Sequence, residues 1–540
     1  MPQNGPPIIF SLEPLNAAAF EVLTAGQNAH LRAVLPDRPT DVLSIGKFSG
    51  GESKYTLATI GRGTDANGVS IHVPSRQGKG SLVARKQCTF DVHEISQEIM
   101  LRDWSTQQST QVSRENANAI DGRGGIRQVV LDDAKPVDFG FGGPPDCNAY
   151  QFRLHWHMKS SEVKLVDRPD LPHNAPTDMA HELTALPTRP TRIPPTIAQM
   201  TIRYLERKKL GGGASGQVFK VVDVDRGRHV AMKRMDRPQI QSVAHARLKA
   251  EVIFLSRASH ENVVKFRGYQ FKATSVEIFT ELMSGTVNDL MIQNFYSDHS
   301  PRVDTISYAG PNTHVGSLLH QTLKGLDYLA TQKMVHLDIK PDNILYSLGP
   351  KGEYVYKLAD FGTVHAVGAG GVDRTGTEMY RAPELSKEGA KAKTENDIWS
   401  LFVTMAVAMD TDGFRRKALY TTALRIIVVQ EAADHPSMAM MSSMAKADPA
   451  ERATAEEMLI KLFNSEGCVP RPKPQPPSNR VQKRKAPSGA LKTTAASQRH
   501  EPYQIRQASR LTQQPAPSEK EEMREMVREA QHHNDEMDWE

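Results

Sequence analysis

From Val42 to Met158 the apolar residues come in short runs broken by Gly, Asn, Asp and Pro. Tyr55-Thr56-Leu57-Ala58-Thr59-Ile60, Gly68-Val69-Ser70-Ile71-His72-Val73, Cys88-Thr89-Phe90-Asp91-Val92 and Phe152-Arg153-Leu154-His155-Trp156 are examples. Short runs punctuated by turn residues predict an all-β sandwich over 42–158. Residues 1–41, rich in Pro, Ala and Asn, read as a flexible leader, and prolines at 169, 172, 176, 187, 190, 194 and 195 mark a linker over 159–200. Residues 201–463 begin as a glycine-rich strand-turn-strand and then change to helical periodicity. Ala244–Arg257, with Leu248, Val252 and Leu255 at helical spacing, predicts a helix. Beyond 463 the chain turns polar and rich in Pro and Lys, so 464–540 is expected to be disordered, with a short solvated helix over Glu519–Ala530.

The 540 residues suffice for several domains with real cores, and 39% hydrophobic with 24% charged residues suits soluble ones. No run approaches about 18 uninterrupted apolar residues, so no membrane span is expected. Met1–Phe10 lacks a basic start followed by an apolar stretch, so no secretory signal is expected. Cys88, Cys147 and Cys468 are too few and too scattered for a disulfide framework or a zinc site, and they fit a reducing compartment. A net charge of +5 is too mild to argue for nucleic acid.

The chemistry gathers in 201–463. Gly211-Gly212-Gly213-Ala214-Ser215-Gly216-Gln217-Val218 fits G-x-G-x-x-G-x-V, in which glycines let the backbone close over phosphates. Alone that pattern is weak. Val230-Ala231-Met232-Lys233 follows, with Lys233 17 residues beyond Gly216, where an ammonium reaches the α- and β-phosphates of a nucleotide. Glu251 is the only acid between Arg237 and His260, which makes it the natural partner of Lys233. Next comes His336-Leu337-Asp338-Ile339-Lys340-Pro341-Asp342-Asn343, then Asp360-Phe361-Gly362, then Ala382-Pro383-Glu384. Phosphoryl transfer needs a carboxylate to orient and deprotonate the attacking hydroxyl, a role that suits Asp338. It needs oxygen ligands for Mg²⁺, which Asn343 and Asp360 can supply, and Lys340 can contact the transferring phosphate.

In that order, residues 201–463 resemble the eukaryotic protein kinase domain. The resemblance implies an α+β bilobal fold: a small β-rich lobe ending near Thr280 and a helical lobe after it. It implies ATP and Mg²⁺ as cofactors. Leu210, Gly211, Gly213, Gly216, Val218, Ala231, Lys233, Glu281 and Met283 would line the nucleotide site, with Thr280 as gatekeeper and Glu281-Leu282-Met283 as the hinge. Catalysis would rest on Asp338, Lys340, Lys233 and Glu251. His336 and Phe361 would be core residues, Asp397 would brace the catalytic loop, and Arg452 would pair with Glu384. Lys340-Pro341-Asp342-Asn343 and Gly376-Thr377 are similar to serine/threonine rather than tyrosine kinases, with Thr377 contacting Asp338 and Lys340. Thr375 is a candidate phosphosite, but Leu337 departs from the family's arginine, which often reads an activation-loop phosphate, and this puts switching by phosphorylation of Thr375 in question. Phe295–Ser317 is longer and more polar than the family norm.

The β-patterned block resembles a forkhead-associated (FHA) domain, a phosphothreonine-binding sandwich. Ile60-Gly61-Arg62, Asn67-Gly68-Val69, Ala84-Arg85-Lys86-Gln87, Leu101–Thr106 and Asp138–Gly142 carry the likeness. Arg62 supplies a cationic fork for phosphate and Arg85 a second cation. Ala84 stands where the family has a serine, with Ser81 or Ser75 as compensating hydroxyls, and Gln107 or Gln108 lies near the usual asparagine. If the sandwich binds no phosphothreonine, docking on the catalytic domain or dimerisation is the expected alternative. An FHA module before a kinase is similar to checkpoint and meiotic kinases of the DNA-damage response, fungal members included. Gln482-Lys483-Arg484-Lys485-Ala486-Pro487, after Arg471 and Lys473, fits a nuclear-localisation patch. The expected partners are protein substrates and phosphothreonine proteins, without direct nucleic acid or membrane, in the nucleus or otherwise the cytoplasm. A catalytically silent kinase-fold scaffold and a phosphopeptide adaptor remain the alternatives.

Overall fold

The computed structural model describes residues 7–34, 41–46, 55–63, 69–74, 83–112, 120, 127–143, 149–163, 202–213, 216–240, 242–293, 314–372, 374–417 and 421–471. They fall into two compact units: residues 1–289 with 345–362, and residues 290–344 with 363–540.

The first unit opens with a sandwich of two sheets. β1 (Ile8–Pro14), β2 (Arg32–Val34), β3 (Asp41–Gly46), β4 (Thr56–Gly61), β5 (Ile71–His72), β6 (Cys88–Val92), β7 (Ile99–Asp103), β8 (Gln111–Val112), β9 (Gln128–Val130), β10 (Val137–Phe141) and β11 (Tyr150–Trp156) build it. One sheet runs β2-β3-β1-β11-β10-β8 and the other β5-β4-β6-β7-β9. Inward alternation packs Phe10, Phe90, Phe139, Phe141 and Phe152 between them, with Phe10 and Phe90 rings 4.9 Å apart.

Residues 7–34 do not form the flexible leader that the composition of 1–41 suggests. Ile8–Pro14 forms β1 and pairs antiparallel with β11, from Phe10 opposite Trp156 to Pro14 opposite Phe152. Helix α1 (Ala17–Thr24) follows, with Asn16 Oδ1 accepting from Ala19 N at 2.9 Å as its N-cap and Ala19, Val22 and Leu23 buried. The bias toward Pro, Ala and Asn hid a strand whose partner lies some 140 residues away. At the other end, the segment taken as the start of the linker still belongs to the sandwich. A 3₁₀ turn at Ser160–Glu162 donates Ser160 N to Asp133, and Val163 is buried. Residues 164–201, Ser75, Ser81, most of Phe295–Ser317, and 472–540 with the basic run and the Glu519–Ala530 helix lie outside the described residues.

A third sheet of the same unit, β12-β13-β14-β16-β15, comprises β12 (Tyr204–Gly213), β13 (Gly216–Asp223), β14 (His229–Asp236), β15 (Phe266–Phe271) and β16 (Ser275–Glu281). One face buries Val221, Val230, Met232 and Phe279 against Tyr204 and Phe219. α2 (Val243–Arg257) is capped by Ser242 and buries Leu248, Val252 and Leu255, the residues whose spacing predicts it. β17 (Gly285–Thr286) pairs with β19 (Ile344–Leu348).

The second unit is helical: α4 (His314–Thr331), α5 (Thr394–Met409), α6 (Thr422–Asp434) and α7 (Ala455–Phe463), with α3 (Val287–Ile292) at its entry. Short β18 (Met334–Val335) pairs with β21 (His365–Ala366); β20 (Tyr354–Leu358), which belongs to the first unit, lies beside β19. α5 is buried nearly all round, Trp399, Phe402 and Met405 included, which identifies it as the unit's central helix. Among the described residues no helix is long and apolar enough to cross a membrane.

Candidate active site

The glycine-rich turn lies between β12 and β13, and Gly211, Gly212 and Gly213 are exposed. Leu210 beside them is 46% exposed. Cross-strand register explains why Val218, Ala231 and Lys233 act together. Val218 stands opposite Lys233, and Ala231 opposite Thr280. Strand period two then puts Val218, Ala231 and Lys233 on one face, away from the Met232–Phe279 core.

Lys233 Nζ donates to Glu251 Oε1 at 2.9 Å and to Asp360 Oδ1 at 2.7 Å. Glu251 is 3% exposed on α2, so a charge buried there is compensated by its cation. Burial pulls the Lys233 pKa down, but the carboxylates of Glu251 and Asp360 outweigh it and hold it above the usual lysine value. Phe361 packs on Phe254 of α2 at 4.7 Å, locking the Asp360-Phe361-Gly362 turn against the helix that carries Glu251. Glu281 donates its N–H to Lys265 O, while its carboxylate accepts from Lys357 Nζ at 2.7 Å and Lys265 N at 2.8 Å. That side chain is therefore occupied within its own unit. Lys357 had no signal of its own in the sequence.

In the helical unit, Asp338 is the hub. Thr377 donates to its Oδ1 through N at 2.8 Å and Oγ1 at 2.7 Å, and Asn343 Nδ2 donates to Oδ2 at 2.9 Å. Lys340 Nζ lies 2.8 Å from Oδ2 and donates to Thr377 Oγ1 at 2.7 Å, as the Lys340–Thr377 pattern leads one to expect. Burial raises the Asp338 pKa, but the Lys340 and Thr377 bonds prevail, so it lies below the ordinary aspartate value and the group is a carboxylate at neutral pH. Asp397, fully buried, accepts from His336 N at 2.7 Å and Leu337 N at 2.8 Å. Leu337 sits at φ 66°, a costly conformation for a branched side chain, and those two bonds are what hold it. Arg452 donates to both oxygens of Glu384, at 2.7 and 3.0 Å.

Leu337 is buried and apolar, and Thr375 is only 8% exposed. Arg381 donates to the carbonyls of Thr375 and Gly376, so its guanidinium is engaged by backbone. Thr375→Ala should therefore change kcat by less than about threefold in a peptide assay. A loss of more than about tenfold, restored by an acidic residue, would show a phosphate being read there.

Asp360 carboxylate and Asn343 amide are hard oxygen donors that suit Mg²⁺. Among the described residues no cluster of three or more His, Cys, Asp or Glu stands at metal-binding separation. A cation completed by nucleotide phosphates and water needs no such protein cage.

In the sandwich, Arg62 and Arg85 are both exposed, on neighbouring loops. Arg62 N donates to Ala84 O at 3.2 Å and Gly63 N to Arg85 O at 3.1 Å. Gly61 makes this possible, because a Cβ there would lie 2.0 Å from Arg85 O. Gln87 is fully buried: its Oε1 accepts from Ala84 N at 3.0 Å, and its Nε2 donates to Ser109 and Thr110. It splints the Ala84 loop, a role its composition does not announce. Gln107 and Gln108 are exposed, Gln108 at φ 52°.

Residues 204–463 match the protein kinase domain family. Over about half of the chain the protein is 32% identical to a probable serine/threonine-protein kinase of Dictyostelium discoideum, covering 50% of that protein. It is 31% identical to the serine/threonine-protein kinase dst1 of the same organism, over 48% of this chain and 34% of the relative. It is 29% identical to the serine/threonine-protein kinase STE20 of Candida glabrata, over 49% and 28%. The chain thus spans half or less of the length of these relatives. Residues 204–463, which carry the paired lysine and glutamate and the carboxylate hub, are thus similar to the protein kinase domains of serine/threonine kinases.

Proposed function

We propose that this chain transfers the γ-phosphoryl group of ATP to serine and threonine hydroxyls of proteins. The observation that carries the proposal is the Lys233–Glu251 ion pair at 2.9 Å. An unused kinase fold has no need to hold two charges out of water in that arrangement. Lys233, fixed by Glu251, holds the α- and β-phosphates while the glycine-rich turn covers them. Bound Mg²⁺, held by Asp360 and Asn343, would neutralise phosphate charge. The substrate hydroxyl oxygen bonds to the γ-phosphorus as the bond to the ADP oxygen breaks, and Asp338 accepts the hydroxyl proton. Thr377 and Lys340 keep that carboxylate aimed, and Lys340 then faces the transferring phosphate. The test is phosphotransfer from radiolabelled ATP to a generic Ser/Thr substrate, with and without a chelator. A wild type that is inert with Mg²⁺ present would leave a scaffold.

The sandwich, on this proposal, recruits phosphothreonine partners through Arg62 and Arg85. Two exposed arginines on adjacent loops support it, and so does Gly61, which lets those loops touch. Arg62 then supplies most of the charge recognition, because Ala84 donates nothing. Arg62→Ala should abolish binding of the full chain to phosphothreonine peptides, whereas Ala84→Ser should tighten it by about ten- to a hundredfold, the worth of one charge-assisted hydrogen bond. Equal calorimetric titrations for phosphorylated and unphosphorylated peptides in both forms would refute phosphothreonine recruitment. Nuclear signalling of the checkpoint type is the setting that the Gln482–Pro487 run and the sandwich-before-kinase order support; exclusion of a tagged chain from the nucleus would count against it.

A further inference from the structure

Among the described residues, the sandwich is rooted in the small lobe at the base of the glycine-rich hairpin. β9 is the edge strand of its sheet, yet Val130 N donates to Val224 O at 2.8 Å, and Gln128 Nε2 donates to Asp225 O at 3.1 Å. Val222 and Val224, at and just past the end of β13, are fully buried in the sandwich core, with Leu205 of β12 packed on it. Gly227, at φ +69°, turns under the sandwich so closely that a Cβ would lie 2.6 Å from Met100 Sδ.

Polar groups fix the same junction. Glu98, between β6 and β7 and 5% exposed, receives Arg207 of β12 in a two-pronged pair, Nε to Oε1 at 2.9 Å and Nη2 to Oε2 at 2.6 Å. His229 Nε2 lies 3.1 Å from Glu98 Oε1, and Asp133 lies 3.5 Å from Arg207 Nη1. A fork-to-fork pair has one geometry, so it sets the position of β12 and not merely its affinity for the sandwich. β12 runs from Arg207 directly into Gly211–Gly213, and β13 leaves Gly216 toward Val222. Both strands that carry the phosphate-covering turn are therefore held at their far ends by the sandwich.

We propose that the N-terminal sandwich is a built-in support of the nucleotide site, with Glu98 and Arg207 as positioning residues for the glycine-rich turn. The sandwich then does more than recruit partners: it restrains the hairpin that must close over ATP, and freeing the hairpin weakens nucleotide binding without touching the catalytic loop. This inference rests on the kinase proposal for its kinetic readout but not for its structural one.

The test uses the full chain with Glu98→Ala, Arg207→Ala, both together, and Glu98→Gln, which keeps the shape of the side chain. Glu98→Ala should raise KM for ATP and Kd for Mg-ADP by about tenfold, with kcat and the peptide KM within about twofold of wild type. Amide exchange across 204–222 should accelerate. Glu98→Gln should give an intermediate shift, and the double variant should match the worse single one, since both act through one contact. Nucleotide affinity and exchange across 204–222 that stay at wild-type levels in Glu98→Ala would overturn the proposal. So would a loss of thermal stability with nucleotide affinity intact, because a merely structural pair behaves that way. A wild type that transfers no phosphate would tell against the kinase proposal alone, while the exchange measurement still decides this one.

Discussion

Asp360→Asn should abolish phosphotransfer while leaving the protein folded. The carboxylate stands 2.7 Å from Lys233 Nζ, and its second oxygen and full negative charge are what a divalent cation requires. Asparagine keeps the shape and one oxygen but removes the charge. The loss falls on the transition state, where the cation offsets charge on the transferring group, so kcat should drop by at least about a thousandfold, equivalent to roughly 4 kcal/mol. Stability should change little, because Asn can still accept from Lys233. The check is steady-state kinetics with Mg²⁺-ATP beside a thermal melt. Turnover like wild type would remove Asp360 from the assigned role; a collapsed melt would mean that its pairing with Lys233 matters to folding rather than to chemistry.

Arg452→Leu should strongly destabilise the helical unit. The Arg452 side chain is wholly buried, donates to both oxygens of Glu384 and also to the carbonyls of Lys446, Ala447 and Glu395, and lies over the Trp399 ring at 5.2 Å. Leucine fills part of the volume but leaves the Glu384 carboxylate and several carbonyls without their donor. Removing one partner of a buried ion pair costs about 3–5 kcal/mol. In a unit of this size that corresponds to a fall in melting temperature on the order of 10 °C. Glu384→Gln should cost less, since an amide can still accept one of the two bonds. A melt for Arg452→Leu within a few degrees of wild type would show that the pair adds little to the fold.

The groups proposed for phosphotransfer could be picked out in the sequence because that chemistry demands particular residue types at nearly constant separations. A lysine on a strand after a glycine-rich turn, an acid on the following helix and a carboxylate-lysine-asparagine loop leave few alternatives. Lys233, Glu251, Asp338, Asn343 and Asp360 could thus be named from order alone. Helix α2 was equally readable, since Leu248, Val252 and Leu255 repeat at the helical period and bury the face so marked. Pairing across long separations was not legible. β1 looked like part of a flexible leader because its partner, β11, follows some 140 residues later, and no local pattern records that pairing.

What the sequence determined by itself was the set of groups that phosphoryl transfer requires and the two architectures that carry them, since reaction chemistry and strand or helix period are both local properties. Only the tertiary structure decided which partners Gln87, Glu281 and Glu98 find. Gln87 became a splint for the Ala84 loop, Lys357 took the Glu281 carboxylate, and Glu98 reached across to Arg207 and His229. The physical reason is the same in each case. A buried polar group must be paired, but its partner is set by which chain segments packing brings within about 3 Å, and that depends on every apolar residue of the core at once.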